Sequence, residues 1–361
     1  MNKTILLITG GTGGHVIPAK NLANYFLDQN INCILMTDRR GHKYISNFKG
    51  KVYLVKGSNL DGGIHIKFFG ILNLFLGFVQ SLFIILFLKP SNVISFGSYA
   101  SFSPLLSSFI LKPFYRIKIY IHEQNSVLGR TNRFFLKYVD KLFLNFDISH
   151  KIDQKFRNKT FIVGLPQKKI IENVIKKKIN HNSKFTILIF GGSQGSEFIS
   201  NFAIRLIKSI NEDNIINANF KIQAPKNMVN KIKESLQNVD YQITIKEYFH
   251  NIEEVLNNTS LAISRSGAGS INDLILNNIP SILIPLPTSK DNHQFYNALI
   301  MRNNKVGIII EQNFNELLKA KNYIYQNYNN IIEKSLMNNR FNKIKVKNSN
   351  SLIYKIITND E

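Results

Sequence analysis

Two glycine-rich turns give the sequence its first chemical signal. Residues 10–15 (GGTGGH) and 191–195 (GGSQG) each follow an apolar run and precede a helical pattern. Glycine lets backbone N–H groups approach a diphosphate closely, and a helix N-terminus adds partial positive charge. Taken alone, either turn could be no more than a tight connection between a strand and a helix. Neither turn matches the dinucleotide fingerprint G-x-G-x-x-G or a P-loop. Two such turns in two halves of the chain predict a phosphorylated ligand held between two domains.

Polar residues also follow other predicted strands. Residues 97–101 (GSYAS), 122–125 (HEQN) and 264–270 (SRSGAGS) each come directly after an apolar run. Open α/β sheets bind their ligands at the carboxyl ends of strands, and a polar run such as HEQN is hard to explain as packing. Asp273, one turn into the next helix, could accept hydrogen bonds from ribose hydroxyls. A favourable contact with the helix N-terminus explains this carboxylate equally well.

The elements that must position these residues follow a doubly wound α/β pattern. Residues 3–9 predict a strand, a helix follows from about Ile17 with Pro18 in its first turn, and 33–36 predict the next strand. The same order returns with strand 185–190, so we predict two Rossmann-like domains joined near residues 163–170. One large sheet fits less well. Further strands are predicted at 92–96, 117–121, 160–163, 219–222, 242–245, 261–264, 281–285 and 306–310. The first helix of each half has one apolar face, formed by Ala19, Leu22, Ala23, Phe26 and Leu27, and by Ile199, Phe202, Ala203, Leu206, Ile207 and Ile210.

The composition limits the function classes without choosing one. The chain has 361 residues, 44% of them hydrophobic, which suffices for two cores and excludes intrinsic disorder. The single cysteine, Cys33, excludes a disulfide framework and a cysteine-based zinc site, and its apolar neighbours predict a buried thiol. With 46 Lys and Arg against 23 Asp and Glu, the chain suits nucleic acid, an anionic membrane or phosphorylated substrates, although scattered surface lysine explains much of the excess. The apolar run 5–8 is too short for a signal peptide, so we expect the first residues to be part of the folded domain and the protein to be cytosolic.

Residues 66–88 are apolar almost throughout and long enough to span a bilayer. A spanning helix would separate strands before residue 66 from strands after residue 90, although all of them must share one sheet. A buried helix pair explains part of the run, but large side chains point in every direction. We therefore predict an apolar patch that lies on a membrane surface, flanked by Lys67, Lys89 and Lys112.

Six motifs in order, spanning residues 10 to 298, carry a family resemblance. GGTGGHVIPA, SFGSYAS, HEQNSVLGRTNR, GGSQG, SRSGAGS and DNHQFYNA together resemble the MurG family, the N-acetylglucosaminyltransferases of peptidoglycan synthesis. The resemblance implies the α/β fold named GT-B, with two Rossmann-like domains and the active site in the interdomain cleft. It also implies that neither a metal nor a cofactor takes part, and the chain contains no D-x-D triplet.

The reaction that this resemblance implies is inverting transfer of GlcNAc from UDP-GlcNAc to the C4 hydroxyl of MurNAc in lipid I (undecaprenyl-pyrophosphoryl-MurNAc-pentapeptide), forming lipid II. Residues 1–163 would form the domain that associates with the acceptor and the membrane, and residues 164–340 the domain that binds UDP-GlcNAc. A helix at about 341–361 would pack back on the first domain. The expected partners are therefore UDP-GlcNAc, lipid I and an anionic membrane surface, without nucleic acid, and the expected location is peripheral, on the cytoplasmic face of the cell inner membrane.

The family's site residues carry over to matching positions of this chain. The diphosphate and sugar of the donor would contact Thr12, Gly13 and Gly14. Asn125 and Gln294 would contact the GlcNAc, Ser193 and Lys168 the phosphates, and the backbone of Phe249 the uracil. The nucleotide would be cradled by Ala268, Gly269, Ser270 and Asp273. His15 and Glu123 are the catalytic candidates for removing the acceptor proton.

Three departures from the family pattern bear on these assignments. Lys168 stands where the family has arginine, and a lysine cannot make a planar bidentate contact with phosphate. Asp273 replaces a ribose-binding glutamate and is one methylene shorter. Ser98 replaces the second glycine of a G-G-Y loop, which is tolerable if the position does not need a positive φ.

Other functions remain open at this point. Another UDP-sugar enzyme of the same fold, a lipid glycosyltransferase or a UDP-GlcNAc epimerase, is the nearest alternative, although an epimerase has no need of an exposed apolar segment. An NAD(P)-dependent oxidoreductase would want an acidic residue after the second strand, where Asp38 stands, but the glycine spacing is wrong. A nucleic-acid binder is supported by charge alone.

Overall fold

The computed structural model describes residues 4–58, 63–168, 184–192, 195–329 and 333–359. The chain forms two compact units. The first unit comprises Met1–Ile170 and Val346–Glu361, and the second comprises Ile171–Lys345. The last residues of the chain therefore belong to the first unit, not to the second.

Strands and helices alternate through both units. The strands are β1 (Thr4–Ile8), β2 (Asn32–Thr37), β3 (Val52–Leu54), β4 (Asn92–Ser95), β5 (Lys118–Glu123), β6 (Lys141–Leu144), β7 (Thr160–Ile162), β8 (Phe185–Phe190), β9 (Ala218–Gln223), β10 (Gln242–Lys246), β11 (Leu261–Ser264), β12 (Ser281–Leu283) and β13 (Gly307–Ile309). The α-helices are α1 (Gly13–Asp28), α2 (Arg39–His42), α3 (Ile64–Leu88), α4 (Phe102–Tyr115), α5 (Arg130–Phe135), α6 (Glu197–Asp213), α7 (Lys226–Ser235), α8 (Ile252–Asn257), α9 (Ala268–Leu276), α10 (His293–Asn303), α11 (Leu317–Asn329), α12 (Glu333–Ile344) and α13 (Ser349–Thr358).

Each unit is built on one parallel sheet. The first sheet has seven strands in the order β3-β2-β1-β4-β5-β6-β7, and the second has six in the order β10-β9-β8-β11-β12-β13. All pairs are parallel, and Ile8 of β1 lies opposite Met36 of β2 and Ser95 of β4. The predicted pair of Rossmann-like domains is confirmed. The chain reverses its direction of growth at β1 in one sheet and at β8 in the other, which is where doubly wound sheets bind ligands.

Every strand predicted from the sequence is present, but two further strands were missed. β3 has three residues at the edge of the sheet and is only partly buried, so it lacks a long apolar run. β6 is a four-residue strand that begins with a lysine. Cys33 lies in β2 and is buried, as predicted.

The helix after the first glycine-rich turn begins earlier than predicted. Thr12 is its N-cap, and α1 starts at Gly13 instead of about Ile17. Pro18, which prefers the first turn of a helix, therefore lies inside α1 and cannot donate a hydrogen bond to the Gly14 carbonyl. The apolar face of α1 packs into the core of the first unit together with Ile353 and Ile357 of α13.

The corresponding helix of the second unit follows its prediction closely. All six apolar residues predicted for one face of α6 are buried in the core of that unit. They pack against strands β8, β9 and β11, which supply Ile187, Phe220 and Ile263. Periodicity of 3.6 residues identifies such a face directly, because only one side of this helix meets the sheet.

The apolar segment predicted for a membrane surface is a single 25-residue helix, α3. Its buried positions are Gly70, Gly77, Ser81 and Ile85, and most of its large side chains are exposed. A Cβ on Gly77 would lie 2.0 Å from the Lys56 carbonyl oxygen, so only glycine fits there. Ser103 and Ser107 of α4 donate hydrogen bonds to backbone carbonyls of α3, at Leu74 and Phe78. Small residues thus take part in the α3–α4 contact, and five of the six phenylalanines of α3 are exposed.

The second glycine-rich loop holds Ser98 in a conformation that favours glycine. Ser98 has φ 78° and ψ 156°, so the condition under which serine would be tolerated here, a φ that is not positive, is not met. Residues other than glycine are strained there by about 1–3 kcal/mol. The next residues form a helical turn in which the Ser101 hydroxyl donates to the Gly97 carbonyl, so the loop is held from its far side.

Replacing Ser98 by glycine should stabilise the protein. Ser98→Gly relieves the strain at positive φ, less the extra entropy of glycine in the unfolded chain, so we expect a gain of about 1 kcal/mol in the free energy of unfolding. Denaturant unfolding measures it. Ser101→Gly is the matched control, since Ser101 has φ −82° and donates a hydrogen bond, and it should destabilise the protein. A loss of stability in Ser98→Gly would contradict the strain.

Candidate active site

Three neighbouring strands of the first sheet end at the same edge. β1, β4 and β5 are adjacent. The first glycine-rich turn follows β1, the loop at Gly97 follows β4, and the segment from His122 to Asn125 contains the last two residues of β5 and the two that come after it. Because the strands are parallel, their carboxyl ends meet, and polar groups from distant parts of the sequence come into contact. His15 of α1 connects all three.

The His15 ring is held by one nitrogen. Its Nδ1 atom lies 2.9 Å from the Phe96 carbonyl oxygen and 2.8 Å from Oε1 of Gln124. His15 is half-buried, whereas Gln124 is buried. A histidine at the sheet edge with a defined ring orientation can serve as a general base.

A second, fully buried histidine stands behind Gln124. The Gln124 amide nitrogen lies 3.2 Å from Nδ1 of His122 and 3.0 Å from the His122 carbonyl oxygen. Nε2 of His122 lies 2.9 Å from the Gly164 carbonyl oxygen. The His122 ring stacks on the Phe96 ring, with 4.9 Å between centroids. Burial lowers the pKa of His122 to about 4, so this ring is neutral near neutral pH.

Glu123, the other catalytic candidate, is 1% exposed and saturated with hydrogen bonds. One carboxylate oxygen accepts from the Asn125 backbone N–H at 3.0 Å and from the Asn125 side-chain amide at 3.4 Å. The other accepts from the Gly129 N–H and from Nδ2 of Asn132, both at 2.8 Å. These contacts fix the loop between β5 and α5. A carboxylate used in this way has little capacity left to accept a substrate proton.

Asp38 ties the two loops of this edge together. One of its carboxylate oxygens accepts from the backbone N–H groups of Gly11 and Gly41, and the other accepts from the Tyr99 hydroxyl at 3.0 Å. Burial and the Asp38 carboxylate raise the pKa of Tyr99 to about 12. The oxygens that a dinucleotide ribose would need are therefore engaged in the protein, which argues against the oxidoreductase alternative.

The remaining predicted residues of the first unit lie around this edge. Thr12 and Gly14 are exposed, Gly13 is buried, and Asn125 is half-buried. Lys168 is exposed. Burial and the nearby Lys168 ammonium lower the pKa of Lys20 of α1. Two cations in proximity favour an anion beside them.

In the second unit, the N-terminus of α9 is open. Gly267 is the N-cap, and a Cβ placed on Gly267 or Gly269 would meet nothing within 4 Å. Ala268, Gly269 and Ser270 form the first turn, whose backbone N–H groups have no acceptor within the helix. One turn later stands Asp273, whose pKa is raised to about 7 by burial and by the Glu253 carboxylate. Anionic and hydroxyl groups can thus be bound on one helix end.

Other predicted residues of the second unit are placed differently. Gln294 is half-buried, and its Oε1 accepts from the Leu286 N–H at 3.0 Å, which directs its amide nitrogen away from that contact. Phe249 is buried after β10. Ser193 lies outside the described residues.

Arg265 lies in the SRSGAGS motif, and no role for it was predicted from the sequence. Its guanidinium is buried and donates to the carbonyls of Ile284 and Pro285 and to the hydroxyl of Ser196, the N-cap of α6. Burial lowers its pKa. Arg265 therefore connects the glycine-rich turn of this unit to the end of β12. A buried arginine between two loops leaves no periodic signal, so only its position after a strand could have marked it.

The described residues hold no cluster of three or more His, Cys, Asp or Glu side chains that could bind a metal ion. The polar groups at both sheet edges are instead backbone N–H groups, amides and single ionisable side chains. Such groups can orient a ligand and stabilise developing charge on it.

Comparisons with known proteins identify relatives along nearly the whole chain. The N-terminal domain of glycosyltransferase family 28 matches residues 5–144, and the C-terminal domain of that family matches residues 186–350. A protein of Wolbachia sp. subsp. Drosophila simulans is 35% identical, with 98% of each chain covered. One of Rickettsia bellii is 33% identical, with 86% of each covered. Both are named UDP-N-acetylglucosamine–N-acetylmuramyl-(pentapeptide) pyrophosphoryl-undecaprenol N-acetylglucosamine transferase.

Solved structures share the fold. MurG of Acinetobacter baumannii superposes with a TM-score of 0.78 at 18% identity, over 99% of each chain. A UDP-GlcNAc 2-epimerase of Neisseria meningitidis, solved with UDP-GlcNAc bound, gives 0.64 at 13% identity, over 99% of this chain and 100% of that one. The predicted GT-B fold is confirmed.

Removing the charge of Glu123 should cost stability. In Glu123→Gln one oxygen becomes an NH₂ group that faces N–H donors, so we expect the free energy of unfolding to fall by about 1–3 kcal/mol. Glu254→Gln is the matched control. Glu254 is exposed, and among the described residues its carboxylate accepts one hydrogen bond, from the Asn251 amide. Equal stability of Glu123→Gln and wild type in urea unfolding would contradict a structural role for this carboxylate.

Proposed function

The chain is a member of glycosyltransferase family 28, and we propose that it transfers GlcNAc from UDP-GlcNAc to the C4 hydroxyl of MurNAc in lipid I, forming lipid II for peptidoglycan synthesis. The observation that carries this proposal is the similarity to curated N-acetylglucosamine transferases along nearly the whole chain. The geometry of the two sheet edges agrees with the chemistry that this reaction needs. A hexosyltransferase of this kind requires a base for the acceptor and a charge-stabilising site for the departing nucleotide.

His15 is the proposed base. As the acceptor oxygen attacks the anomeric carbon, its proton passes to Nε2 of His15. The bond from that carbon to the UDP oxygen breaks, and the electron pair leaves with UDP. Imidazole suits this task near neutral pH, and His15 is half-buried at the sheet edge. Glu123 then holds the neighbouring loop and does not react.

The second unit is the proposed donor-binding unit. Backbone N–H groups of the first turn of α9 can bind the anionic nucleotide, and Asp273 can accept hydrogen bonds from ribose hydroxyls. Gln294 has an amide nitrogen to donate to the sugar, and Phe249 stands at the position that resembles the family's uracil contact. In the first unit Thr12, Gly13, Gly14 and Asn125 are proposed to contact the donor diphosphate and GlcNAc. Lys168 supplies a point charge beside Lys20, and Ser193 is proposed to contact the phosphates.

Helix α3 is the proposed membrane contact. It is long and apolar enough to cross a bilayer by length and composition, and its most apolar 18-residue window has a mean hydropathy of 2.4. Both its ends, however, lead into one sheet, in which β1 and β4 are hydrogen-bonded neighbours. We therefore propose that α3 lies in the interface of the anionic cytoplasmic leaflet, where lipid I is reached, and that the protein is peripheral.

An epimerase is the nearest competing function, because a UDP-GlcNAc 2-epimerase shares the fold. The exposed apolar side chains of α3 favour the transferase. They have no use in an enzyme whose only substrate is a water-soluble nucleotide sugar, whereas they bring an enzyme to a lipid acceptor.

The test of the function is an assay of the purified protein with UDP-GlcNAc and a lipid I analogue, in the presence of a chelator. We expect disaccharide lipid product and UDP in equal amounts. Conversion of UDP-GlcNAc to its C2 epimer without acceptor would instead support the epimerase. Release of UDP that needs a different lipid acceptor would support another lipid glycosyltransferase.

The base assignment predicts a split between turnover and binding. His15→Ala should lower kcat by about 10²–10⁴ and leave the Kd of UDP almost unchanged, because the base acts on the acceptor. Steady-state kinetics and UDP titration measure the two quantities. If the variant loses affinity for UDP and keeps its turnover at saturation, His15 is a binding residue.

The raised pKa of Asp273 predicts pH-dependent donor binding. An ionised carboxylate is the better acceptor for ribose hydroxyls, so the affinity for UDP relative to Asp273→Asn should rise about tenfold between pH 6 and pH 8. Calorimetric titration of both proteins gives this ratio and cancels the titration of UDP itself. Asp240→Asn, on an exposed loop, is the control and should keep the wild-type dependence.

The raised pKa of Asp273 also changes the stability of the unliganded protein, and with the opposite dependence on pH. A carboxyl whose pKa is higher in the folded state binds more protons there, so its contribution to stability falls as pH rises from about 4 to about 7. Asp273→Asn should therefore unfold at a higher temperature than wild type above pH 7. A ratio of UDP affinities that is flat with pH would exclude the ribose role.

The membrane contact predicts that α3 controls binding to vesicles. Phe83 and Phe87 are 66% and 80% exposed, and replacing both with serine should lower the partition onto anionic vesicles at least tenfold, since each inserted ring contributes about 1.5–3 kcal/mol. High salt should release part of the wild type. Leu318→Ser, an exposed leucine of α11, is the control. Wild-type protein that resists extraction by alkaline carbonate would contradict the peripheral arrangement.

A further inference from the structure

His15 presents the same ring nitrogen to two acceptors. Neither the Phe96 carbonyl oxygen at 2.9 Å nor Oε1 of Gln124 at 2.8 Å can donate a proton. Nδ1 must therefore carry the hydrogen, and in the neutral ring the lone pair lies on Nε2. This conclusion requires that the Gln124 amide is oriented with its oxygen toward His15, which its other contacts decide.

The Gln124 amide has one orientation that satisfies its neighbours. Its nitrogen lies 3.0 Å from the His122 carbonyl oxygen, which accepts only, so the NH₂ group must face that side. The same nitrogen lies 3.2 Å from Nδ1 of His122. Nε2 of His122 faces the Gly164 carbonyl at 2.9 Å and must carry the hydrogen there, which leaves Nδ1 as an acceptor. The chain of contacts from Gly164 to His15 is thus consistent in every donor and acceptor.

The surroundings of Gln124 keep this chain in place. Gln124 is buried, its backbone carbonyl accepts from the Asn145 side chain at 2.9 Å, and the His122 ring stacks on the Phe96 ring. A protonated His122 would turn an N–H toward the Gln124 amide and break the chain, but burial lowers the pKa of His122 to about 4. The arrangement therefore persists at neutral pH.

We infer that Gln124 is a positioning residue that holds His15 in the tautomer with Nδ1 protonated and the Nε2 lone pair exposed for a proton. The inference rests on the proposed function only for the origin of that proton. When Nε2 becomes protonated, the Nδ1–H group already donates to two oxygens, so the positive ring forms without reorganisation of its surroundings. A neutral amide provides this stabilisation without placing a second negative charge beside the phosphorylated substrates.

The tautomer is measured directly by NMR on the full chain. The eight histidines are labelled with ¹⁵N, and the His15 signals are assigned by their loss in His15→Gln. We expect Nδ1 to show the shift of a protonated ring nitrogen and Nε2 that of an unprotonated one, at a pH where the ring is neutral. The reverse pattern in wild type overturns the inference without any other variant.

The role of Gln124 is tested with Gln124→Met, which keeps the length of the side chain and removes the acceptor. Nδ1–H then donates to the Phe96 carbonyl alone, so the other tautomer is less strongly disfavoured, and we expect the two His15 nitrogen shifts to move toward each other. We also expect kcat to fall about tenfold with an unchanged KM for UDP-GlcNAc, the loss of one hydrogen bond to a ring that becomes charged. Asn145→Leu is the matched control, because it removes a hydrogen bond to the backbone of the same residue and leaves the amide in place.

The outcomes separate this inference from the proposed function. Unchanged His15 shifts and kcat in Gln124→Met, or equal effects in Asn145→Leu, overturn the positioning role. The expected shifts in a wild type that transfers no GlcNAc would leave the tautomer assignment standing and reject the function. If Gln124→Met fails to fold, the wild-type spectrum still decides the tautomer, and Gln124→Leu replaces it for kinetics.

Discussion

The hydrogen bonds at Nδ1 of His15 are the contact on which the site of the first unit depends. They join a helix that follows β1 to the ends of β4 and β5, across 81 and 109 residues of sequence. The parallel order of these three strands makes the contact possible, because it brings their carboxyl ends to one edge. The contact in turn fixes the orientation of the His15 ring. Strand order therefore determines which side chains can meet at this candidate site.

The sequence predicts the parts of the fold that depend on periodicity and turn chemistry. Strands such as β8 and helices such as α6 have an apolar pattern that one-sided burial imposes, so their residues could be assigned individually. β3 was missed because a short edge strand buries little. The start of α1 was misplaced because the preference of Pro18 for a first turn outweighed the N-cap at Thr12. At β3 and at the start of α1, the local sequence preference therefore does not show where the element lies.

The sequence supplies candidate site residues but not the contacts of their side chains. His15 and Glu123 are both candidate bases in the sequence, and Gln124 stands in the HEQN run without an assigned role, so residue order does not distinguish a proposed base from a loop anchor or a positioning amide. That distinction depends on hydrogen-bond partners. Four donors surround the Glu123 carboxylate, whereas the two acceptors that the described residues place against His15 both lie at Nδ1. Asp38 and Arg265 show the same limit, because each joins loops that are far apart in the sequence.

The packing of α3 on α4 has a consequence for what happens when this surface meets lipid. Apolar contacts between helices lose their driving force once hydrocarbon replaces water on the outside, but close approach at glycine and serine does not depend on the expulsion of water. The two helices meet at Gly77 and Ser103, and hydroxyls of α4 bond to carbonyls of α3. The association of α3 with α4 should therefore not depend on whether water or lipid covers their outer face. If α3 enters the interface of a membrane as proposed, the glycine and serine contacts that join it to α4 should hold in lipid as they do in water.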